Sequence, residues 1–338
     1  MRYAFNLMKV TRFYGFAKYK LKELIPRSTW ILLSKKVGNK REQEFAERKI
    51  VKDKGHEKPG IYVIRRRPPG GGLFSNVNHV LQGVEYARAN DLTPIVDMQN
   101  YWTSYSQRKP LHQTKNAWEY FFEPISSLKI NELDNFRNVT LSKGDRINPS
   151  SPLADRGLTF VLNNHLLLEL HSLYVENIRL NKETVKFLNR VKEYIEWDGN
   201  TIGVSYRGTD YVSTQPTGHA KQPTLPQLIS RLEDKRDSYS GFRLLVSTED
   251  AAARRAIVRT NSDSVYREFR DHRILEKLIS NNEHVSKQAM DALGYLAEIY
   301  LLAECITVTC SIANGSATSL IINGGKYIEP DIIDLGIY

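Results

Sequence analysis

Cysteine is nearly missing from this sequence. Cys305 and Cys310 are the only two in 338 residues. They can build neither a disulfide framework nor a zinc ribbon, and so low a count fits a reducing compartment. Long apolar runs are missing too: no stretch of about 18 apolar residues occurs, so no helix is expected to span a membrane. The start, MRYAFNLMKVTRFYGF, has no uninterrupted apolar core and no small-residue cleavage site, so a secretory signal is not expected. Neither GxGxxG nor GxxxxGKS/T is present, which removes the dinucleotide fingerprint and the P-loop. No DxD pair follows a predicted strand, so no manganese site of that kind is expected. Net charge is missing from most of the chain as well. Residues 1–54 hold fifteen Lys/Arg against five Asp/Glu, and the rest holds 33 of the 48 basic and 33 of the 38 acidic residues. The +10 charge therefore belongs to the N-terminal arm, which argues against a basic nucleic-acid cleft in the body.

In that arm, residues 1–36 interleave lysines and arginines with aromatic and aliphatic residues, among them Tyr3, Phe5, Phe13, Tyr14, Phe16 and Trp30. Such a segment suits an anionic membrane surface, with rings at headgroup level and cations on the lipid phosphates. A basic helix packed on the body, or a disordered arm, has the same composition. Residues 37–59 read as a charged linker, which makes 1–59 an arm and linker ahead of the folded chain.

From Gly60 the pattern becomes strand, glycine loop, helix, strand: IYVIR (61–65), RRPPGGGLFSN (66–76), VNHVLQGVEYARAND (77–91) and TPIVDM (93–98). This opens a Rossmann-like unit. Gly71 and Gly72 let the backbone approach a ligand, and Asn76 and Asn78 are expected to offer amides at the helix start. NYWTSYSQ (100–107) and NAWEYFFEP (116–124) combine rings and amides. They suit either sugar stacking or a core made of Trp118, Tyr120, Phe121 and Phe122. Residues 125–160 look irregular, and two helices, 165–180 and 182–197, close a first domain over 60–198.

A second domain, 199–338, alternates strands and helices. Its anchor is IGVSYRGTD (202–210), a buried strand running into Arg207, Gly208, Thr209 and Asp210. Open α/β sheets bind ligands at the carboxyl ends of their strands, and a guanidinium fork suits a diphosphate. A plain Arg–Asp surface pair would look the same. YVSTQPTGHAKQP (211–223) reads as a loop, followed by a helix from Thr224. Strands at 243–250, 264–269 and 306–311 follow, with helices at 251–260, 290–305 and 317–323. Three polar strand ends then share one rim: Arg207–Asp210, Thr248–Asp250 and Ser311–Ser316. That convergence points to a nucleotide site.

PGGGLFSNVNHVLQG (69–83), VSYRGTDYV (204–212), LVSTED (245–250) and EIYLLAEC…TCSIANGSATSLII (298–322) together resemble the fucosyltransferase superfamily, over roughly residues 60–338. That group includes core α-1,6-, bacterial α-1,2- and protein O-fucosyltransferases. The chain is also similar to polysaccharide-locus glycosyltransferases that carry RGTDY and a Gly-His loop. The resemblance implies an α/β GT-B fold, two Rossmann-like domains facing a cleft. It implies a nucleotide-sugar donor, GDP-fucose first, and a glycan acceptor, with inverting transfer that needs no cofactor or metal. Arg207 would hold the β-phosphate, and Asp210 would fix the arginine or a sugar hydroxyl. Thr248, Glu249 and Asp250 would lie near the guanine, Glu298 on base or ribose, and Ser311 and Ser316 on phosphates. Ser205 replaces the family's usual histidine, and no carboxylate lies between Asp210 and Glu233, so His219 and Asp210 both stand as base candidates. The implied setting is surface polysaccharide synthesis in bacteria, by a cytoplasmic protein peripheral to the inner face of the membrane. A transferase with another donor, or a non-catalytic carbohydrate-binding protein on the same scaffold, are the alternatives.

Overall fold

A computed structural model describes residues 45–68, 70–145, 148–239, 241–261, 264–279 and 284–338. The arm of residues 1–36, proposed for membrane contact, lies outside the described residues, as do the side chains of Thr209 and Asp210.

The first sheet contains β1 (Arg48–Val51), β2 (Gly60–Ile64), β3 (Leu92–Val96) and β4 (Asn138–Leu141), in the order β1-β4-β2-β3. β2 is parallel to both β3 and β4, and β1 closes the edge antiparallel to β4. Two expectations change here. Residues 48–51, read as linker, are an edge strand, and β4 arises inside the stretch read as irregular. Both strands are only four residues long, too short for an alternation signal to register.

Helix α1 (Leu73–Ala89) follows directly on the glycine loop, with Gly72 as its N-cap. It begins four residues before the expected 77. Asn76 and Asn78 therefore sit within its first two turns, with buried side chains. Beyond β4, α2 (Asn164–Asn177) and α3 (Lys182–Ile195) are capped by the side chains of Asn163 and Asn181.

The second sheet contains β5 (Thr201–Tyr206), β6 (Arg243–Thr248), β7 (Thr307–Ser311) and β8 (Asp331–Ile333), all parallel, in the order β6-β5-β7-β8. Every residue of β5 and β7 is buried, as the central strands of a sheet covered on both faces must be. The connecting helices are α4 (Thr209–Thr214), α5 (Leu225–Ser238), α6 (Ala251–Thr260), α7 (His272–Ile279), α8 (Lys287–Glu304) and α9 (Asn314–Asn323). Thr224 and Gln227 form the capping box that starts α5. The loop expected at 211–223 begins as the short helix α4, and the strand expected at 264–269 is reduced to a single bridge between Val265 and Leu244.

One apolar core joins the halves. It runs from Tyr62 and Ile64 through Phe74, Val77 and Leu81 to Leu296, Ile299 and Leu302 of α8 and Leu320 of α9. Trp118, Tyr120, Phe121 and Phe122 are each about 1% exposed, and Trp118 stacks on Phe122 at 4.3 Å. These rings are core, so the sugar-stacking alternative for them falls. Each such ring contributes roughly 2–3 kcal/mol by burial. Among the described residues no helix is long and apolar enough to cross a membrane.

Candidate active site

The carboxyl ends of β5, β6 and β7 open at one rim, and Arg207 is the first residue beyond β5. Its N–H donates to Ser311 Oγ at 3.2 Å, tying the ends of β5 and β7 together. Its Nε lies 3.2 Å from Glu249 Oε1, with both side chains about one-third exposed, and its guanidinium stands 5.1 Å from the Tyr211 ring centre. An ion pair this exposed adds about 0–1 kcal/mol, so its consequence is to orient the fork. Gly208 has no room for a side chain: a Cβ there would lie 2.5 Å from Tyr206 Cε1 and 2.7 Å from Asp250 Oδ2. Tyr211 Oη and His219 Nδ1 are hydrogen-bonded at 3.0 Å, with the rings edge-to-face. Glu249, Arg207, Tyr211 and His219 thus form one contact chain leading from the rim of the second sheet into the cleft.

Below Arg207 lies Tyr295. Burial raises its hydroxyl well above the usual phenol range, against the pull of the Arg207 charge. Its ring meets Phe74 of α1 edge-on at 5.1 Å, across the two halves, and Arg270 stands 5.4 Å from its centre. Glu298 is 1% exposed. Its carboxylate accepts from Ser247 Oγ at 2.8 Å and from Arg270 Nη1 at 3.1 Å. Burial pushes the Glu298 carboxyl up while Arg270 acts against it, and the same pairing raises Arg270.

On the opposite side a cavity of about 940 Å³ opens against the first sheet. Three consecutive arginines follow β2, and each does something different. Arg65 is buried between Phe45 and Tyr101 and donates to Ser142 O and Ala46 O. Arg66 donates to Ser75 O, Ser75 Oγ and Asn76 Oδ1 and lines the cavity. Arg67 pairs with Asp145 at 2.8 Å. Asn76 also bonds Gly71 O and Tyr105 Oη, which fixes the glycine loop where Gly70 takes φ +72°. His79 bonds Arg65 O at 2.9 Å, and burial pushes its imidazole down to about 3. Among the described residues of the second half, His219 and Asn314 reach this cavity. Arg207 stands outside its lining, one side chain away through Tyr211.

No protein-family model matches the chain, and no curated protein matches it. Several solved structures align with most of it. Fucosyltransferase NodZ from Bradyrhizobium aligns at 18% identity over 82% of this chain and 96% of that one, with a TM-score of 0.45. A mutant of Arabidopsis thaliana FUT1 in complex with GDP aligns at 13% identity over 90% and 77%, with a TM-score of 0.47. POFUT1 in complex with GDP-fucose aligns at 10% over 83% and 99%, with a TM-score of 0.42. The chain is similar to these fucosyltransferases. With all three TM-scores below 0.5, its function has to be read from the site itself.

The sequence candidates do not all come to one place. Arg207, Glu249, Ser311 and His219 belong to one connected rim, at the places described above. Others are engaged in holding the local backbone. Asp250 caps α6 by accepting from Ala252 N and Ala253 N, and Thr248 Oγ1 accepts from Asp250 N. Ser316 Oγ accepts from Ala313 N and donates to Ser311 O at 2.6 Å. Asn78 bridges the halves, donating to Asn314 Oδ1 at 3.0 Å and accepting from Thr318 Oγ1 at 3.3 Å. Glu298 lies under the rim, behind Arg270. Gly71 and Gly72 shape the turn into α1. Asp210 is in α4 by its backbone, and its side chain lies outside the described residues. Sequence reasoning missed Arg66, Arg156, Lys143, Tyr211 and Arg270. The run of arginines after β2 was the available signal for the first; nothing local marks the others.

Proposed function

We propose that this protein is an inverting glycosyltransferase that uses a nucleoside-diphosphate sugar, GDP-fucose first, and a glycan acceptor. The observation that carries this reading is the arrangement of Arg207. It sits at the carboxyl end of β5, held by Ser311 and Glu249 and linked through Tyr211 to His219 at the cavity. A fixed cation for a departing diphosphate and a proton acceptor for an incoming hydroxyl then face one cleft.

In the reaction the sugar–phosphate bond breaks and its electron pair stays on the diphosphate. Arg207 stabilises that growing charge, and because it is oriented beforehand little reorganisation is needed. The acceptor oxygen bonds the anomeric carbon from the opposite face, and its proton passes to His219. Tyr211 Oη, 3.0 Å from Nδ1, orients the His219 ring for that transfer. Arginine supplies the positive charge, so the scheme needs no metal. Glu298 would act through Arg270 beside the donor. The donor-side half would begin near residue 199, at the turn between α3 and β5. Residues 1–36 would hold the protein at an anionic membrane where surface polysaccharide is assembled, which co-sedimentation of full-length and truncated protein with anionic vesicles reads directly.

Calorimetry with GDP, then a screen of GDP-, UDP- and CDP-sugars for donor hydrolysis, tests the reading. GDP binding is expected, and Arg207→Ala is expected to lower turnover about 10²–10³-fold with thermal stability kept. No binding of any nucleotide, or normal turnover in the variant, overturns it.

A further inference from the structure

The cavity on the first-sheet side has a charge arrangement that a neutral sugar would not need. Arg66 is held by neutral acceptors alone, Ser75 O, Ser75 Oγ and Asn76 Oδ1. Burial lowers its pKa, and the acidic group acting on it is Asp145, whose carboxylate is already taken by Arg67 at 2.8 Å. Lys143 and Arg156, both exposed, line the same cavity. Among the described residues no carboxylate pairs with either. The other two acidic lining residues are turned to structural use. Asp155 accepts from Gly157 N, Thr159 N and Thr159 Oγ1, and Glu47 from Tyr86 Oη at 3.4 Å. The formal excess is small, four cations to three carboxylates. The disposition is what counts: among the described residues three of the cations have no acidic partner, while Asp145 is held in an ion pair and Asp155 in a loop. A half-buried guanidinium without a counter-charge is costly, and an anion in the cavity would offset that cost. The space, about 940 Å³, is at the upper end of small-molecule sites and admits more than one sugar ring. Leu153, Ala154 and Leu158 give it an apolar wall.

We infer that this side of the cleft is an anion subsite, and that the acceptor is a glycan carrying carboxylate or phosphate groups, read by Arg66, Lys143 and Arg156. The inference rests on the glycosyltransferase reading for the word acceptor. The subsite itself does not depend on nucleotide binding.

The test is calorimetry on the full chain with GDP at saturating concentration, so that any donor phosphate site is filled. Three probes of equal length are compared: an oligogalacturonate, its neutral oligogalactose counterpart and a phosphorylated oligogalactose. At least one anionic probe is expected to bind about tenfold more tightly than the neutral one, a preference that weakens with salt. Which of the two binds identifies carboxylate or phosphate as the recognised group. Lys143→Gln with Arg156→Gln, two exposed positions, is expected to remove most of that preference. Arg156→Glu is expected to reverse it, and GDP affinity in each variant reports that the fold is intact. Equal binding of all three probes, no binding of any, or an unchanged preference in the double variant overturns the inference. Failure of GDP to bind would instead count against the glycosyltransferase reading and leave the glycan comparison readable.

Discussion

His219 is the residue on which the proposed chemistry turns, because the cavity and the Tyr211–Arg207 contact meet there. His219→Asn is expected to lower turnover by about 10²–10⁴-fold with GDP affinity little changed. As base, it also requires the rate to fall toward acid pH as the imidazole takes up a proton. A flat acid limb in the pH–rate profile would reject that role even if the variant were slow. His79 makes a different prediction. Its folded pKa, about 3, lies below the ordinary histidine value of about 6.5. Between those values the unfolded chain holds the extra proton, so stability is fully present above about pH 6.5 and is lost as pH falls toward 3. Linkage gives a loss on the order of 2 kcal/mol between pH 7 and pH 5 from this group. His79→Gln can still donate to Arg65 O, and urea melts at both pH values should show a shallower acid loss in the variant. An equal loss would show that His79 does not titrate on unfolding as described.

At the scale of elements, capping decides how the strand-end motifs are read. Asp250 ends the LVSTED motif, and its position beside a proposed guanine site made it a donor candidate. In the fold its Oδ1 satisfies two otherwise unpaired amides at the start of α6. Asp250→Ala is expected to cost about 1 kcal/mol in thermal or urea melts, and Asp250→Ser to restore most of it, since serine caps as well. GDP affinity should be unaltered in the serine variant. A weakened GDP affinity in a variant of restored stability would make Asp250 a donor contact after all. Ser316 is likewise occupied within its own loop, accepting from Ala313 N and donating to Ser311 O.

The whole molecule is tied across the cleft by specific contacts. Phe74 meets Tyr295, Asn78 meets Asn314 and Thr318, and Tyr174 Oη bonds Tyr300 Oη at 2.6 Å. Gln107 donates to His284 O and accepts from Ser286 N. With one core running through both halves, unfolding is expected to be a single transition by differential scanning calorimetry. Asn78→Ala removes two hydrogen bonds between the halves, to Asn314 and from Thr318, and should cost about 1–3 kcal/mol, lowering that transition without splitting it. Two resolved transitions would show that the halves unfold independently.

By itself the sequence determined the sheet-forming segments with strong local signals: IYVIR, IGVSYR and LLVST as buried strands, Thr224 with Gln227 as a helix start, and Arg207 at a strand end. Each follows from alternation, capping chemistry or a charge placed directly after a buried run, all of which act within a few residues. Tertiary structure decided the rest. β1 and β4 are too short to signal themselves and exist because β2 offers an unpaired edge. The aromatic run at Trp118–Phe122 became core because Val96 of β3, Phe187 of α3 and Leu293 of α8 pack around it, and composition cannot tell that from a sugar platform. Glu298 went beneath the rim because Arg270, 28 residues earlier in the chain, met it there. Arg66, Lys143, Arg156 and His219 share one cavity although the chain separates them by up to 153 positions. Such a site is a property of distances in space, set by how two sheets and their helices pack.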